Sequence, residues 1–169
     1  MATSPSTYNV DDPAYKLTSK MIEKIDELVA KFPEKNSAVM PALYIIQDEF
    51  GWIPPAAISQ LAKILDTTPN KIYSVVTFYT MFNEKPVGKY HIQVCRNLSC
   101  SLLGAKHIVD HLSEKLGIQP GETTEDKKYT MSLVECLGAC GTAPVMMIND
   151  TYYENLTVKK VDNILESLQ

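Results

Sequence analysis

The chain has 169 residues, a formal net charge of −4 and 45% hydrophobic residues. That length admits one ordinary domain, or a small helical unit joined to a compact one, and that hydrophobic share sustains a packed core rather than disorder. The acidic balance argues against nucleic acid as the main partner, because phosphate recognition wants a basic face, and no apolar run approaches the ~20 residues that span a bilayer.

Residues 1–17 read as a flexible N-terminal arm, rich in Ser, Thr, Asp and Pro and without a hydrophobic period. The arm lacks a basic start, an apolar centre and any arginine. It is therefore neither a secretory signal nor a transit peptide by pattern, and the chain is expected in the cytoplasm. A first helix is predicted from Thr18 or Ser19, with Met21, Ile22, Ile25, Leu28 and Val29 on one face and Phe32-Pro33 as its stop. A second, capped by Asn36 or Ser37, runs through "ALYIIQDEF" to Gly51, a residue suited to a left-handed C-terminal position. Pro41 is tolerated in its first turn. Pro54-Pro55 opens a third helix, "PAAISQLAKILD", and Thr67 or Thr68 with Pro69 opens a fourth, "PNKIYSVVTFYTMF". Residues 18–84 are thus expected to form a helical bundle. The rhythm of "LAKILDTTPNKIYSVV" suits a helix-turn-helix DNA reader, but its few basic residues weigh against that role. Partner docking is the expectation, because an amphipathic helical unit with spare apolar surface marks such a face.

Past "NEKPVGK" the pattern changes, and residues 85–169 are expected to form a separate domain. "YHIQVC" alternates and is rich in β-formers, so it reads as a strand ending on Cys95. A helix follows from about Leu102 to Leu116, burying Ala105, Ile108, Val109, Leu112 and Leu116 and stopped by Gly117. "YTMSLVEC" is a second strand that also ends on a cysteine. "PVMMIND" and "TYYENL" form a hairpin around Asn149-Asp150, and "TVKKVDNILESLQ" is a closing helix capped by Thr157. The order β-α-β-β-α resembles the thioredoxin-like layout, giving an α+β chain overall. No internal repeat is present.

The four cysteines fall in two pairs, Cys95 with Cys100 and Cys136 with Cys140, separated by 35 residues. Paired thiols in a reducing compartment point to metal or redox chemistry more often than to structural disulfides. Both pairs begin where a strand ends, so neighbouring strands would deliver both loops to one end of a sheet. Cys100 is expected at a helix N-terminus, where the dipole favours thiolate. Four thiolates can close around one zinc ion or one small iron–sulfur cluster. Against zinc, the spacers are of four and three residues, where a tight zinc knuckle more often uses about two. Small residues in Leu137-Gly138-Ala139 and Gly141 let backbone N–H groups approach sulfur, which suits an anionic cluster. The cysteine count does not separate two-iron from four-iron clusters. Catalytic disulfide exchange is a third reading, but the C-x-x-C motif is missing.

"CRNLSCSLLGA" followed by "VECLGACGTAPVMMIND" is similar to the thioredoxin-like [2Fe–2S] subunit family of NADH-quinone oxidoreductase (respiratory complex I), that of its 24-kDa subunit. "FPEKNSAVMPALYIIQDEFGWIP" and "VVTFYTMF" resemble the helical N-terminal part of that family. The resemblance runs from about Lys20 to the C-terminus. It implies a thioredoxin-like [2Fe–2S] ferredoxin domain with Cys95, Cys100, Cys136 and Cys140 as the iron ligands. It further implies single-electron exchange with the FMN of a flavoprotein partner that also binds NADH, and further iron–sulfur subunits in the complex. Membrane attachment would come only through that complex, in a peripheral arm on the cytoplasmic side. NAD-linked formate dehydrogenases and NAD(P)-linked or electron-bifurcating hydrogenases share the layout. The chain alone is expected to bind no NADH, because no glycine-rich dinucleotide fingerprint precedes a helix.

Several other residues invite a functional reading. Arg96 is the only arginine in the chain and lies inside the first ligand loop. Its charge is expected either to raise the cluster potential or to engage the partner, against the plainer reading of a solvated side chain. Pro144 stands where thioredoxin-like folds often carry a cis proline, which sets a cis Ala143–Pro144 bond beside the ordinary trans one. His107 and His111 are one helical turn apart, a spacing that can bind metal, but they share a polar face with Asp110 and Glu114 and lack an HExxH context. His91 reads as a strand side chain, Trp52, Tyr44 and Phe50 as packing residues, and Met146-Met147 as core filling.

Overall fold

A computed structural model describes residues 12–168, and the chain divides into two compact units, Met1–Pro86 and Val87–Gln169. Most of the expected N-terminal arm, residues 1–11, lies outside the described residues. Its last stretch is packed: Pro13–Tyr15 form a 3-10 turn, Leu17 is buried, and the Tyr15 ring meets Phe50 and Trp52 edge-on.

In the first unit the described helices are α1 (Ser19–Val29), α2 (Val39–Phe50), α3 (Pro55–Ile64) and α4 (Pro69–Phe78). Local chemistry sets their ends. Thr18 caps α1 by accepting from the Met21 N–H at 3.3 Å. Gly51, at φ +75°, closes α2 in the left-handed conformation. Pro41 sits in the first turn of α2, where its missing N–H costs no helical bond. The inner faces meet in one core that includes Ile25, Leu43, Ile46, Leu61, Leu65, Ile72 and Val76.

The fourth helix stops at Phe78, four residues before the predicted end. The Gln47 side chain is the reason. Its amide donates to the Met81 carbonyl at 2.9 Å and accepts from the Asn83 N–H at 2.7 Å, while the Ile53 N–H donates to the Asn83 carbonyl. Those tertiary bonds satisfy backbone groups that a longer helix would have used itself.

The second unit holds β1 (Tyr90–Cys95), α5 (Leu98–Leu102), α6 (Ala105–Leu116), β2 (Tyr129–Val134), β3 (Met146–Ile148), β4 (Thr151–Tyr153) and α7 (Val158–Ser167). Among the described residues the strands form one mixed sheet in the order β2-β1-β3-β4. The pair β1–β2 is parallel, with Cys95 opposite Val134, and the other pairs are antiparallel. Alternation along β1 and β2 sends Ile92, Val94 and Met131 into a core shared with Ile108 and Leu112 of α6 and Val161, Ile164 and Leu165 of α7. The helix predicted from about Leu102 to Leu116 is α6, which starts at Ala105; Gly104, at φ +95°, separates it from α5, a short helix around Cys100 that the sequence did not predict. The expected hairpin turns at Asn149, which adopts φ +52°. No helix among the described residues is long and apolar enough to cross a membrane.

Candidate metal centre

Cys95 is the last residue of β1. Its N–H donates to the Val145 carbonyl at 3.1 Å, and the next N–H, of Arg96, donates to the Val134 carbonyl at 3.0 Å. The first cysteine is therefore fixed from both neighbouring segments. The chain then turns, and Asn97 caps α5 by accepting from the Leu98 N–H at 2.7 Å. In this short helix Cys100 faces inward and is buried, whereas Leu98, Leu102 and Leu103 are exposed.

The second pair is placed differently from the sequence expectation. Strand β2 ends at Val134, so Cys136 lies two residues beyond it, in a loop that runs to the 3-10 turn Cys140–Thr142. Gly138, at φ +73°, turns its N–H onto the Cys136 sulfur at 3.3 Å. Downstream, the Ala143–Pro144 bond is cis. The Asn155 N–H donates to the Thr142 carbonyl at 2.6 Å and the Leu156 N–H to the Pro144 carbonyl at 3.0 Å, which anchors the far end of the loop.

The two loops meet. Cys95, Cys100, Ala105 and Val145 form a small buried apolar cluster, and Leu137, Ala139 and Ala143 of the second loop pack against it. All four thiols are free; Cys95 and Cys100 are buried, and Cys136 and Cys140 are exposed. Burial pushes the Cys100 thiol up, helped by a hydrogen bond to Cys95 and by the negative charge of Cys95 and Cys140, while a backbone hydrogen bond from Val145 works in the other direction. Cys100 is the third residue of the five-residue helix α5, in its first turn, rather than at the start of the long helix α6, and burial is the largest influence on its thiol.

The donor set fits an iron–sulfur cluster in kind and number: four sulfurs, two on each of two touching loops. Among the described residues no three His, Cys, Asp or Glu side chains gather as they do around one metal ion.

Two residues escaped the sequence reading. Glu135, just before Cys136, pairs with Arg96: the guanidinium Nε donates to Glu135 Oε1 at 2.9 Å, and Nη2 reaches the same oxygen. Val145 supplies hydrogen bonds at both Cys95 and Cys100. Neither has a local signal, because both depend on which strands pair. His111 lies away from the thiols in its contacts; it bonds Asp162 of α7 at 2.8 Å, and Lys115 joins the same carboxylate. His91 contacts Ser132 at 2.6 Å across the strand pair.

The model of the thioredoxin-like [2Fe–2S] ferredoxin family matches residues 25–169. The chain is similar to a subunit of the NADH-quinone oxidoreductase of Rickettsia conorii, 46% identical over 158 residues, covering 92% of this chain and 95% of the relative. An NADH-quinone oxidoreductase subunit from Rhizobium meliloti is 44% identical over 149 residues, covering 88% and 89%. NADH-quinone oxidoreductase subunit 2 of Thermus thermophilus is 43% identical over 148 residues, covering 86% and 82%. Among solved structures, an NAD+-reducing [NiFe]-hydrogenase in the air-oxidised state aligns with a TM-score of 0.68 over 78% of this chain at 24% identity. This chain spans 22% of the hydrogenase chain, and the likeness is one of fold.

Proposed function

We propose, from its membership of the thioredoxin-like [2Fe–2S] ferredoxin family, to which this chain belongs, that it is an electron-transfer subunit of an NADH-quinone oxidoreductase. In this reading Cys95, Cys100, Cys136 and Cys140 hold one [2Fe–2S] cluster, which exchanges single electrons with the FMN of an NADH-binding flavoprotein partner. The observation that carries the site assignment is the meeting of the two cysteine loops: Leu137 and Ala139, from between the second pair, pack on the apolar nest that buries the first pair. The names of the three relatives given above, each a subunit of an NADH-quinone oxidoreductase, support the assembly.

A bound [2Fe–2S] cluster supplies one-electron redox chemistry at this place. The chain's own residues set the conditions. Cys95 and Cys100 offer their sulfurs from an apolar pocket that keeps water away. The Gly138 N–H and the Val145 backbone direct dipoles at Cys136 and Cys100 and offset negative charge on sulfur. The exposed thiols Cys136 and Cys140 lie on the solvent side of the nest, where a partner has access.

A role within a complex, rather than that of a free-standing carrier, is supported by the apolar surface. Leu98, Leu102 and Leu103 are exposed on and beside α5, and Tyr73, Phe78 and Met81 are exposed in the helical unit. The flavoprotein and further iron–sulfur subunits are the partners in this reading, with the helical unit as one docking element. The chain then meets a membrane only through the complex, in its peripheral arm on the cytoplasmic side. NADH binding belongs to the partner.

The test is anaerobic addition of NADH to the assembled complex. A spin-half signal that appears on reduction, and that a Cys100→Ser substitution in this chain abolishes, supports the proposal. A signal unaffected by that substitution contradicts it.

A further inference from the structure

The two cysteine loops leave a parallel strand pair side by side. The last rungs of that pair are Cys95 opposite Val134 and the Arg96 N–H on the Val134 carbonyl. Arg96 and Glu135 are the first side chains beyond it. One follows the first ligand cysteine, the other precedes the third, and they are joined by two guanidinium donors on one carboxylate oxygen. A weak contact of the Cys95 sulfur with the Glu135 carbonyl, 3.9 Å, adds to the same junction.

We propose that Arg96 and Glu135 form a charge-balanced clasp that holds the second cysteine loop against the first and cancels charge beside the thiolates. The clasp rests on the reading of the four thiols as a cluster site. Stability is not its purpose: the two side chains are 57% and 73% exposed, and ion pairs this exposed contribute little to folding. What the pair controls is local. Four thiolates with iron form an anionic site, and an unpartnered carboxylate next to Cys136 would add to that charge. A guanidinium keeps its charge throughout the working pH range and presents a rigid fork, so it neutralises Glu135 and fixes it in one act. Lysine in its place would do the first without the second. The remaining ion pairs among the described residues lie on α6 or between α6 and α7, so this one alone joins the ligand loops. Arg96 and Glu135 act through the cysteines and are positioning residues.

The test uses the full chain in four forms: the parent, Arg96→Gln, Glu135→Gln, and the charge swap Arg96→Glu with Glu135→Arg. In the metal-free proteins, amide hydrogen exchange is read at residues 137–141. Severalfold faster exchange in both single variants, with slow exchange restored in the swap, is expected; parent-like exchange in both single variants overturns the clasp. In the reconstituted proteins the midpoint potential is read. The prediction is a downward shift for Arg96→Gln, which strands an anion, an upward shift for Glu135→Gln, which strands a cation, and a near-parent value for the swap. Equal potentials in all four overturn the charge balance. Failure of all four to take up iron and sulfide overturns the cluster reading instead, and the exchange measurement still judges the clasp on its own.

Discussion

The Gly138 N–H points at the Cys136 sulfur across 3.3 Å, and it does so because Gly138 occupies φ +73°. Nothing lies within 4 Å of where a Cβ would stand, so the glycine answers to backbone conformation and not to crowding. Gly138→Ala is expected to lower the stability of the metal-free chain by about 1 kcal/mol through left-handed strain. It is also expected to lower the midpoint potential, because the donor to sulfur moves away. Denaturant titration and redox titration check the two halves; an unchanged potential would show that this N–H does not tune the site.

The four cysteines should divide by burial. Serine at any of them is expected to reduce iron retention. Only Cys95→Ser and Cys100→Ser place a hydroxyl in the apolar nest, so only these should also destabilise the metal-free chain, by about 1–3 kcal/mol. Iron analysis with unfolding of the metal-free proteins reads both effects. Full iron content in any single variant argues against that residue as a ligand.

Gly88 has a different constraint. A Cβ there would stand 2.9 Å from the Tyr129 backbone, and the Gly88 N–H already donates to Thr130 Oγ1 at 2.6 Å. Gly88→Ala must push β2 away from the start of β1, at a cost of about 1–3 kcal/mol. A denaturation midpoint equal to that of the parent would show that the strand pair yields freely.

Acid should weaken the second unit in two steps. Burial holds His91 below its ordinary 6.5. As pH falls below that value the unfolded chain takes up the proton first, and stability declines until the folded chain is protonated as well. Asp162 is held below its ordinary 3.8 by the hydrogen bond from Lys115 and then by that from His111. Its contribution is complete above the unfolded value and is lost as pH falls through the folded one. Denaturation midpoints of His91→Gln and Asp162→Asn against pH should each flatten one step. A parent whose stability rises on acidification through pH 6 contradicts the assignment.

Much of this was legible in the sequence because local signals agreed with tertiary demands. "YHIQVC" alternates as a half-buried strand must, and β1 spans Tyr90–Cys95. Thr18, Gly51 and Thr157 terminate helices by interactions within a few residues of themselves, so their roles travel with the sequence. Most of the misreadings have distant causes. The early end of α4 depends on Gln47, more than thirty residues away. One cause is local: the five residues of α5 are too few to show an apolar period, and the period of the longer helix begins only at Ala105, past Gly104. Glu135 could not be paired with Arg96 until β1 and β2 were known to lie parallel in that register. At the site, the sequence carried the donor atoms and their loops; which thiols are buried came only from the packing of Leu137 and Ala139 against the first pair.

The most direct test of the central claim is metal and acid-labile sulfide analysis of the full chain purified without oxygen, with an EPR spectrum after dithionite reduction. The account predicts about two irons and two sulfides per chain and a spin-half signal. One zinc without sulfide or signal, persisting after attempted cluster reconstitution, would contradict it and leave a zinc-stabilised interaction module in its place.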